Sequence, residues 1–156
     1  MTKIPEEVVH FFQNQGFVII STVDKNNFPH NSCKGIVEIK QTGVIYLLDL
    51  YHGNTYRNLK NNPRLAVTAV EEHKFRGYSL TGTARILAEG ILSNRLAKAW
   101  EDRINSRLTQ RLIRNISGEK GYPRHPEVLL PEPEYLIEMQ VENVLDLAPA
   151  HIKQGV

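Results

Sequence analysis

The chain contains the sequence VIYLLDLYHGNTYRNLKNNP at residues 44–63. Its first seven residues, Val44–Leu50, are mostly aliphatic, aromatic or β-branched and predict a buried strand. A short loop follows, and Thr55–Asn61 predict a helix that ends before the final proline of the segment, because proline disfavours helical backbone in the residue that precedes it. The first N–H groups of such a helix have no acceptor within it. Asn54 and Thr55 at this point either bind an anion or simply cap the helix.

Further extended segments lie on both sides of this motif. The fifth is the most regular, with an apolar or small residue at every second position from Tyr78 to Ile86. Four of the segments follow one another at short spacing, which favours an antiparallel barrel or sandwich. The six predicted strands are Phe17–Val23, Phe28–Ile39, Val44–Leu50, Arg64–Val70, Tyr78–Ile86 and Tyr135–Leu145.

Two more helices are expected outside the strands. The N-terminal one has Pro5 in its first turn, Gly16 as its terminating residue and one apolar face, which indicates that it covers the end of the sheet. The longer one, from about Ser93 to Asn115, has an apolar residue at every fourth position. Four residues turn a helix by about 400°, so this stripe winds too far round to be buried against one sheet face. We therefore expect a second subunit as its partner, with Leu96, Trp100, Leu108 and Leu112 as candidate contacts.

Charged residues on the long helix, and the segment after it, give weaker indications. Four arginines form either a solvated face or a surface for an anion or partner. They are Arg103, Arg107, Arg111 and Arg114. Residues 117–134 are rich in glycine and proline and predict a long loop before the last strand.

The composition describes one globular domain, residues 1–156. Hydrophobic residues make up 41% of the chain, and 19 Lys and Arg against 17 Asp and Glu give a net charge of +2, so no nucleic-acid partner is expected. The single cysteine, Cys33, excludes an internal disulfide and a Cys-rich zinc site. The histidines lack metal-ligand spacing, and no apolar run reaches the ~18 residues that span a bilayer. We expect a cytoplasmic protein with no metal site and no membrane partner.

The second predicted strand contains an unusual polar segment, PHNSCKG, at residues 29–35. Such a strand either faces a ligand that must approach the backbone closely, or lies at a sheet edge with a bulge at Gly35. Cys33 is correspondingly either a small residue on a ligand-facing strand or a reactive thiol.

The order of these segments resembles the FMN-binding split barrels, which are the pyridoxamine 5'-phosphate oxidase-like flavoproteins. The resemblance rests on Pro29–Ser32, on Asn54–Pro63 after the third strand, and on GYSLTGTA at residues 77–84. It extends from residue 5 to about residue 90. It implies an α+β fold, a six-stranded antiparallel split β-barrel with an N-terminal helix and a long helical insertion before the last strand. It also implies a homodimer that holds two FMN molecules between its subunits.

The resemblance places the FMN phosphate at Asn54 and Thr55 and the isoalloxazine ring along residues 31–35 and 49–52. The cofactor-binding residues that it implies are Asn31, Ser32, Cys33, Lys34, Asp49, Leu50, Tyr51, His52, Asn54, Thr55, Arg57 and Asn58. Many family members carry Lys or Arg at the position of Asn54. Either Lys34 or Arg57 is therefore expected to balance the phosphate charge. No catalytic acid or base is assigned, because the flavin itself carries the redox chemistry.

The function implied is that of a flavin-dependent oxidoreductase with a small-molecule redox substrate or electron donor. Oxidation of vitamin B6 is not expected, because Tyr135–Leu147 lacks the arginine and histidine of the substrate segment in true pyridoxamine phosphate oxidases. The alternatives are a non-catalytic flavin or haem carrier, an electron-transfer module, and a protein that binds deazaflavin instead of FMN. A scarcity of strand aromatics flanked by Lys or Arg argues against an oligonucleotide-binding barrel.

Overall fold

A computed structural model of the chain describes residues 2–49, 52–87, 98–106 and 135–154. The elements in chain order are α1 (Glu6–Gln13), β1 (Val18–Val23), β2 (Pro29–Lys40), β3 (Val44–Asp49), α2 (Asn54–Asn61), β4 (Arg64–Glu71), a single 3-10 turn (Glu72–Lys74), β5 (Arg76–Leu87), α3 (residues 98–106), β6 (Tyr135–Asp146) and α4 (Ala150–Gln154). Most of the predicted long helix, the predicted loop at 117–134, and two predicted site residues, Leu50 and Tyr51, lie outside the described residues.

The six strands form a closed antiparallel barrel. They follow one another around it in the order β1-β2-β3-β6-β5-β4, and β4 pairs with β1 to complete the ring. The last strand lies between β3 and β5, so the prediction of a six-stranded split barrel is confirmed. The idea that β2 is an edge strand with a bulge at Gly35 is wrong. β2 pairs with β1 on one side and β3 on the other, and the bulge is at Val37, between Ile36 and Glu38.

Apolar side chains fill the barrel, and α1 packs against it. The largest of those that are fully buried include Phe12, Ile20, Ile36, Ile45, Leu47, Leu80, Ile137 and Met139. The apolar face of α1 is confirmed, because Ile4, Val8, Phe11 and Phe12 are all buried. The predicted ends of α1 need correction. Pro5 is the N-cap residue, and the C-cap is Asn14 instead of Gly16. The side-chain amide of Asn14 donates a hydrogen bond to the carbonyl of His10 at 2.9 Å, which ends the helix earlier.

One side of β1 is apolar but faces outward. Its apolar composition predicts burial on both sides, yet only alternate residues, including Val18 and Ile20, are buried. Phe17, which precedes the strand, is 56% exposed and Ile19 is 38% exposed. A barrel interior can accept only one side of each strand, so the other side needs a separate cover.

Trp100 on α3 covers a small patch on the outside of the barrel. Its ring carbon Cζ3 lies 3.2 Å from the position that a Cβ on Gly35 would take, so a side chain at Gly35 would press against the indole. The ring also packs with Leu48 and Leu136, and this places it against its own barrel. Arg103 on the same helix donates a hydrogen bond to the carbonyl of Gln15 at 2.6 Å and is half-buried, so it is not part of a fully solvated face. The other proposed helix contacts, Leu96, Leu108 and Leu112, and the other three arginines, lie outside the described residues.

Beside this patch, a second cluster of side chains on β3, β5 and β6 carries charge. The hydroxyl of Tyr46 donates a hydrogen bond to Glu138 at 3.1 Å, and Arg85 donates to the same carboxylate at 2.8 Å. Burial, together with the hydrogen bond to Glu138, raises the pKa of the Tyr46 hydroxyl.

In the described part of the chain, no helix has the length and apolarity needed to cross a bilayer.

Candidate functional site

The N-terminus of α2 has no side-chain cap from the described residues. The helix begins at Asn54 after an extended N-cap residue, Gly53, and no side chain in the described part of the chain caps its first N–H groups by hydrogen bonding. Asn54 and Thr55 therefore lie in the first turn of the helix. The prediction that one of them is the N-cap residue is wrong. Within the described chain, no heavy atom beyond the neighbours of Gly53 lies within 4 Å of where its Cβ would be. The first N–H groups of α2 therefore lie next to a residue whose Cβ position is not contacted by the rest of the described chain.

Side chains from β2 meet this end of α2. The hydroxyls of Ser32 and Thr55 lie 3.0 Å apart, and the amide nitrogen of Asn54 lies 3.4 Å from Nε2 of His30. His30 and Ser32 occupy alternate positions of β2, so both point to the same side of the strand. Arg57, one turn into the helix, donates to the side-chain oxygen of Asn54 and is exposed. We call His30, Ser32, Asn54, Thr55 and Arg57 the α2 cluster.

His30 is the member of this cluster that is not among the site residues predicted from the sequence. Its Nδ1 atom is buried and has no hydrogen-bond partner among the described residues. When Nε2 accepts the N–H of Asn54, the ring proton resides on Nδ1, which is then an unsatisfied donor. Buried donors are usually paired, so this atom marks a place where a ligand acceptor would be favourable. The alternation of His30 with Ser32 and Lys34 along β2 was the signal that could have identified it.

A second group of polar side chains lies at the end of β3. The carboxylate of Asp49 is 1% exposed and accepts hydrogen bonds from the Lys34 ammonium, at 2.5 Å, and from the hydroxyl of Tyr135. These residues come from three neighbouring strands, β2, β3 and β6, and Tyr135 is the direct register partner of Asp49. A buried carboxylate requires such compensation for the water that it loses. We call Lys34, Asp49 and Tyr135 the carboxylate cluster.

Aromatic rings connect the two clusters. The imidazole of His52 stacks on the ring of Tyr135, with 5.2 Å between centroids and 15° between planes. Tyr56, from the first turn of α2, contacts both rings edge-on at 4.5 and 5.0 Å. The ammonium of Lys60 lies 4.5 Å from the centre of the Tyr56 ring. Neither Tyr56 nor Tyr135 is among the site residues predicted from the sequence.

The remaining predicted site residues lie elsewhere. Asn31 and Cys33 are exposed and occupy the opposite side of β2 from Ser32 and Lys34, where Asn31 accepts a hydrogen bond from Ser21 at 2.6 Å. Asn58 is buried behind the first turn of α2 and donates to the hydroxyl of Thr22 at 3.0 Å. No group of three or more His, Cys, Asp or Glu side chains with metal-binding potential occurs in the ranges that the structure describes.

Comparison with known proteins shows to which family the chain belongs. The family model for pyridoxamine 5'-phosphate oxidase matches residues 4–143 of the chain. The chain belongs to this family. Among curated proteins, the uncharacterized protein MJ0282 of Methanocaldococcus jannaschii is similar, with 27% identity over 92 residues. That alignment covers 58% of this chain and 60% of MJ0282, so the chain matches about three fifths of its curated relative.

Solved structures of other proteins show the same fold. HupZ of Group A Streptococcus superimposes with a TM-score of 0.65 and 21% identity, over 92% of this chain and 94% of that one. HutZ of Vibrio cholerae, described as a haem storage protein, superimposes with a TM-score of 0.53 and 18% identity, over 93% of this chain and 94% of HutZ. At these identities the similarity demonstrates the barrel and not the ligand.

Proposed function

We propose that this protein binds FMN beside the N-terminus of α2 and acts as a flavin-dependent oxidoreductase. The observation that carries the proposal is the α2 cluster. The first N–H groups of the helix, two hydroxyls, an arginine and the Nδ1 of His30 come together there, and among the described residues these N–H groups have no side-chain cap and this Nδ1 has no partner. All of these groups are donors or positive, which is the chemistry that a phosphate requires. The residues present therefore fit the phosphate of FMN.

The second part of the proposal concerns the ring end of the cofactor. The carboxylate cluster and the stacked rings of His52 and Tyr135 lie next to the α2 cluster, since Tyr56 belongs to α2 and contacts both rings. Aromatic and aliphatic surface with a few fixed polar groups is typical of cofactor sites. A bound flavin would supply the hydride and electron chemistry, while the chain binds and orients it. The substrate proposed is a small redox molecule in the cytoplasm, and it is not vitamin B6, because Tyr135–Leu147 lacks arginine and histidine.

Substitution of Arg57 tests where the phosphate binds. We expect Arg57→Met to weaken FMN binding about tenfold, because a hydrogen bond to a charged group contributes roughly 1.5–3 kcal/mol and Arg57 is exposed. Riboflavin, which has no phosphate, should bind the variant as it binds the wild type. The measurement is an equilibrium titration of both flavins. Arg64→Met is the matched control, since Arg64 is an exposed arginine paired with Glu142. Equal weakening of the two flavins by Arg57→Met would contradict the placement.

We also propose that the protein is a homodimer, and that the outer side of β1 and β4–β6 is buried in the interface. Five apolar side chains on this side are exposed: Phe17, Ile19, Val70, Leu145 and Leu147. The pairing register places Ile19 and Leu145 in one row across four neighbouring strands, and the two small hydroxyl residues Thr68 and Ser79 lie between them. Large exposed apolar surfaces usually mark an interaction site. In such a dimer the second subunit buries the apolar outer side of β1, which the barrel leaves exposed.

A charge within this surface should separate the subunits. We expect Phe17→Glu to weaken the dimer by about 2 kcal/mol or more, roughly thirtyfold in dissociation constant, because the carboxylate must be desolvated at the interface. Phe28→Glu is the control, since Phe28 is 68% exposed but lies in the turn between β1 and β2. Sedimentation velocity distinguishes the two variants. A monomeric wild type, or equal dissociation of both variants, would disprove this interface.

A haem carrier is the second candidate function. The observation in its favour is the exposed imidazole of His52, stacked on Tyr135, since imidazole is a frequent axial ligand of haem iron. The haem storage protein HutZ also shares the fold. Haem titration followed by absorbance separates the candidates. Two results together would favour the haem carrier. Haem binding is lost in His52→Ala but kept in His73→Ala, and the wild type does not bind FMN.

A further inference from the structure

The two positive side chains near the proposed flavin site have different partners. Arg57 is exposed and donates to Asn54 within the α2 cluster. Lys34 is only 15% exposed at its side chain, and its ammonium lies 2.5 Å from the buried carboxylate of Asp49. Asp49 also accepts the hydroxyl of Tyr135, which fixes the orientation of the carboxylate between β2 and β6. Arg57 is thus near the N-terminus of α2, whereas Lys34 is held by the carboxylate of Asp49.

Without that anion, Lys34 could reach the α2 cluster. Lys34 and Ser32 are two positions apart on the same side of β2, which separates their Cα atoms by about 7 Å. Ser32 in turn contacts Thr55, in the first turn of α2, at 3.0 Å. The flexible four-carbon stem of lysine spans a comparable length. The position of the ammonium is therefore decided by Asp49 and not by the reach of the side chain.

We propose that Asp49 sets the ligand preference of the flavin site by holding Lys34 away from the phosphate. The inference rests on the proposed function. In the wild type, Arg57 and the first N–H groups of α2 bind the phosphate, while the Lys34–Asp49 pair adds no net charge to the site. Asp49 thereby limits the preference for a phosphorylated flavin over riboflavin. It is a positioning residue, because it acts through Lys34.

The ratio of the affinities for FMN and riboflavin tests the inference, since a purely structural role of Asp49 would change both affinities together. Asp49→Asn keeps the shape of the side chain and releases Lys34, so we expect the preference for FMN to rise about tenfold. Lys34→Gln leaves the carboxylate of Asp49 without its ammonium partner, so this variant should not raise the ratio. The double variant replaces the ion pair by a neutral pair and should return the ratio to its wild-type value.

The control is Glu142→Gln, which removes an exposed carboxylate paired with Arg64 and should not change the ratio. A ratio unchanged in Asp49→Asn, raised in Lys34→Gln, or still raised in the double variant would overturn the inference while leaving FMN binding intact. If Asp49→Asn does not fold, Asp49→Ser, whose hydroxyl can still accept the hydrogen bond of Tyr135, takes its place in the same comparison. A wild type that binds neither flavin would overturn the proposed function and the inference with it.

Discussion

Gly82→Ala is expected to destabilise the barrel by more than about 4 kcal/mol, which exceeds the effect of most single substitutions. A Cβ at this position would overlap the backbone carbonyl oxygen of Gln140 on β6. The register between β5 and β6 shifts at Thr81 and Gly82, and this shift brings the two backbones too close for any side chain. Backbone atoms in a closed barrel cannot move aside without breaking ladder hydrogen bonds. Urea unfolding followed by circular dichroism measures the loss.

The matched control for this substitution is Gly53→Ala. The Cβ of an alanine at residue 53 would meet no heavy atom of the described chain within 4 Å, other than its neighbours in sequence. We expect a loss below about 1 kcal/mol, the usual cost of alanine at a helix N-cap. A Gly82→Ala variant as stable as Gly53→Ala would contradict the pairing register of β5 and β6.

Lys34→Met should produce the second large loss of stability, about 3–5 kcal/mol. The substitution leaves the carboxylate of Asp49, which is 1% exposed, without its ammonium partner, and removing one member of a buried ion pair costs this amount. The hydroxyl of Tyr135 still donates to Asp49, so the loss should fall in the lower part of the range. The measurement is again denaturant unfolding at neutral pH.

Lys40→Met provides the comparison for this effect. Lys40 also lies on β2, but its ammonium is 4.0 Å from Glu38 at a more exposed position. Exposed pairs of this kind contribute about 0–1 kcal/mol, so the Lys40 variant should be nearly as stable as the wild type. If the two lysine variants unfolded at the same denaturant concentration, the Lys34–Asp49 contact would not be an important buried interaction.

The strands and α2 could be predicted from the sequence because their signals are local. Alternation from Tyr78 to Ile86 gave β5, and the proline at residue 63 gave the end of α2. The end of α1 was misplaced because a side-chain contact of Asn14 ended the helix before the glycine. The bulge at Val37 could not be foreseen, since it depends on how β2 and β3 align in the closed ring. Composition alone also could not show that Ile19 faces outward.

Only the part of the candidate site that has a local sequence signal could be predicted. Ser32 and Thr55 lie in segments whose polar composition is visible in the sequence, and the structure brings them into contact. Tyr135 joins Asp49 only because β6 inserts beside β3, 86 positions further along the chain, and no local pattern signals that pairing. Asn31 and Cys33 were selected with Ser32 because they share its segment, but alternation places them on the other side of the strand.

The proposed function depends above all on the binding of the FMN phosphate by the α2 cluster. Equilibrium titration of the wild-type protein, stripped of any bound flavin, with FMN and with riboflavin tests this most directly. We expect FMN to bind at least about tenfold more tightly than riboflavin, because only FMN offers an anion to the helix N–H groups and Arg57. Equal affinities for the two flavins, or no binding of FMN, would contradict it.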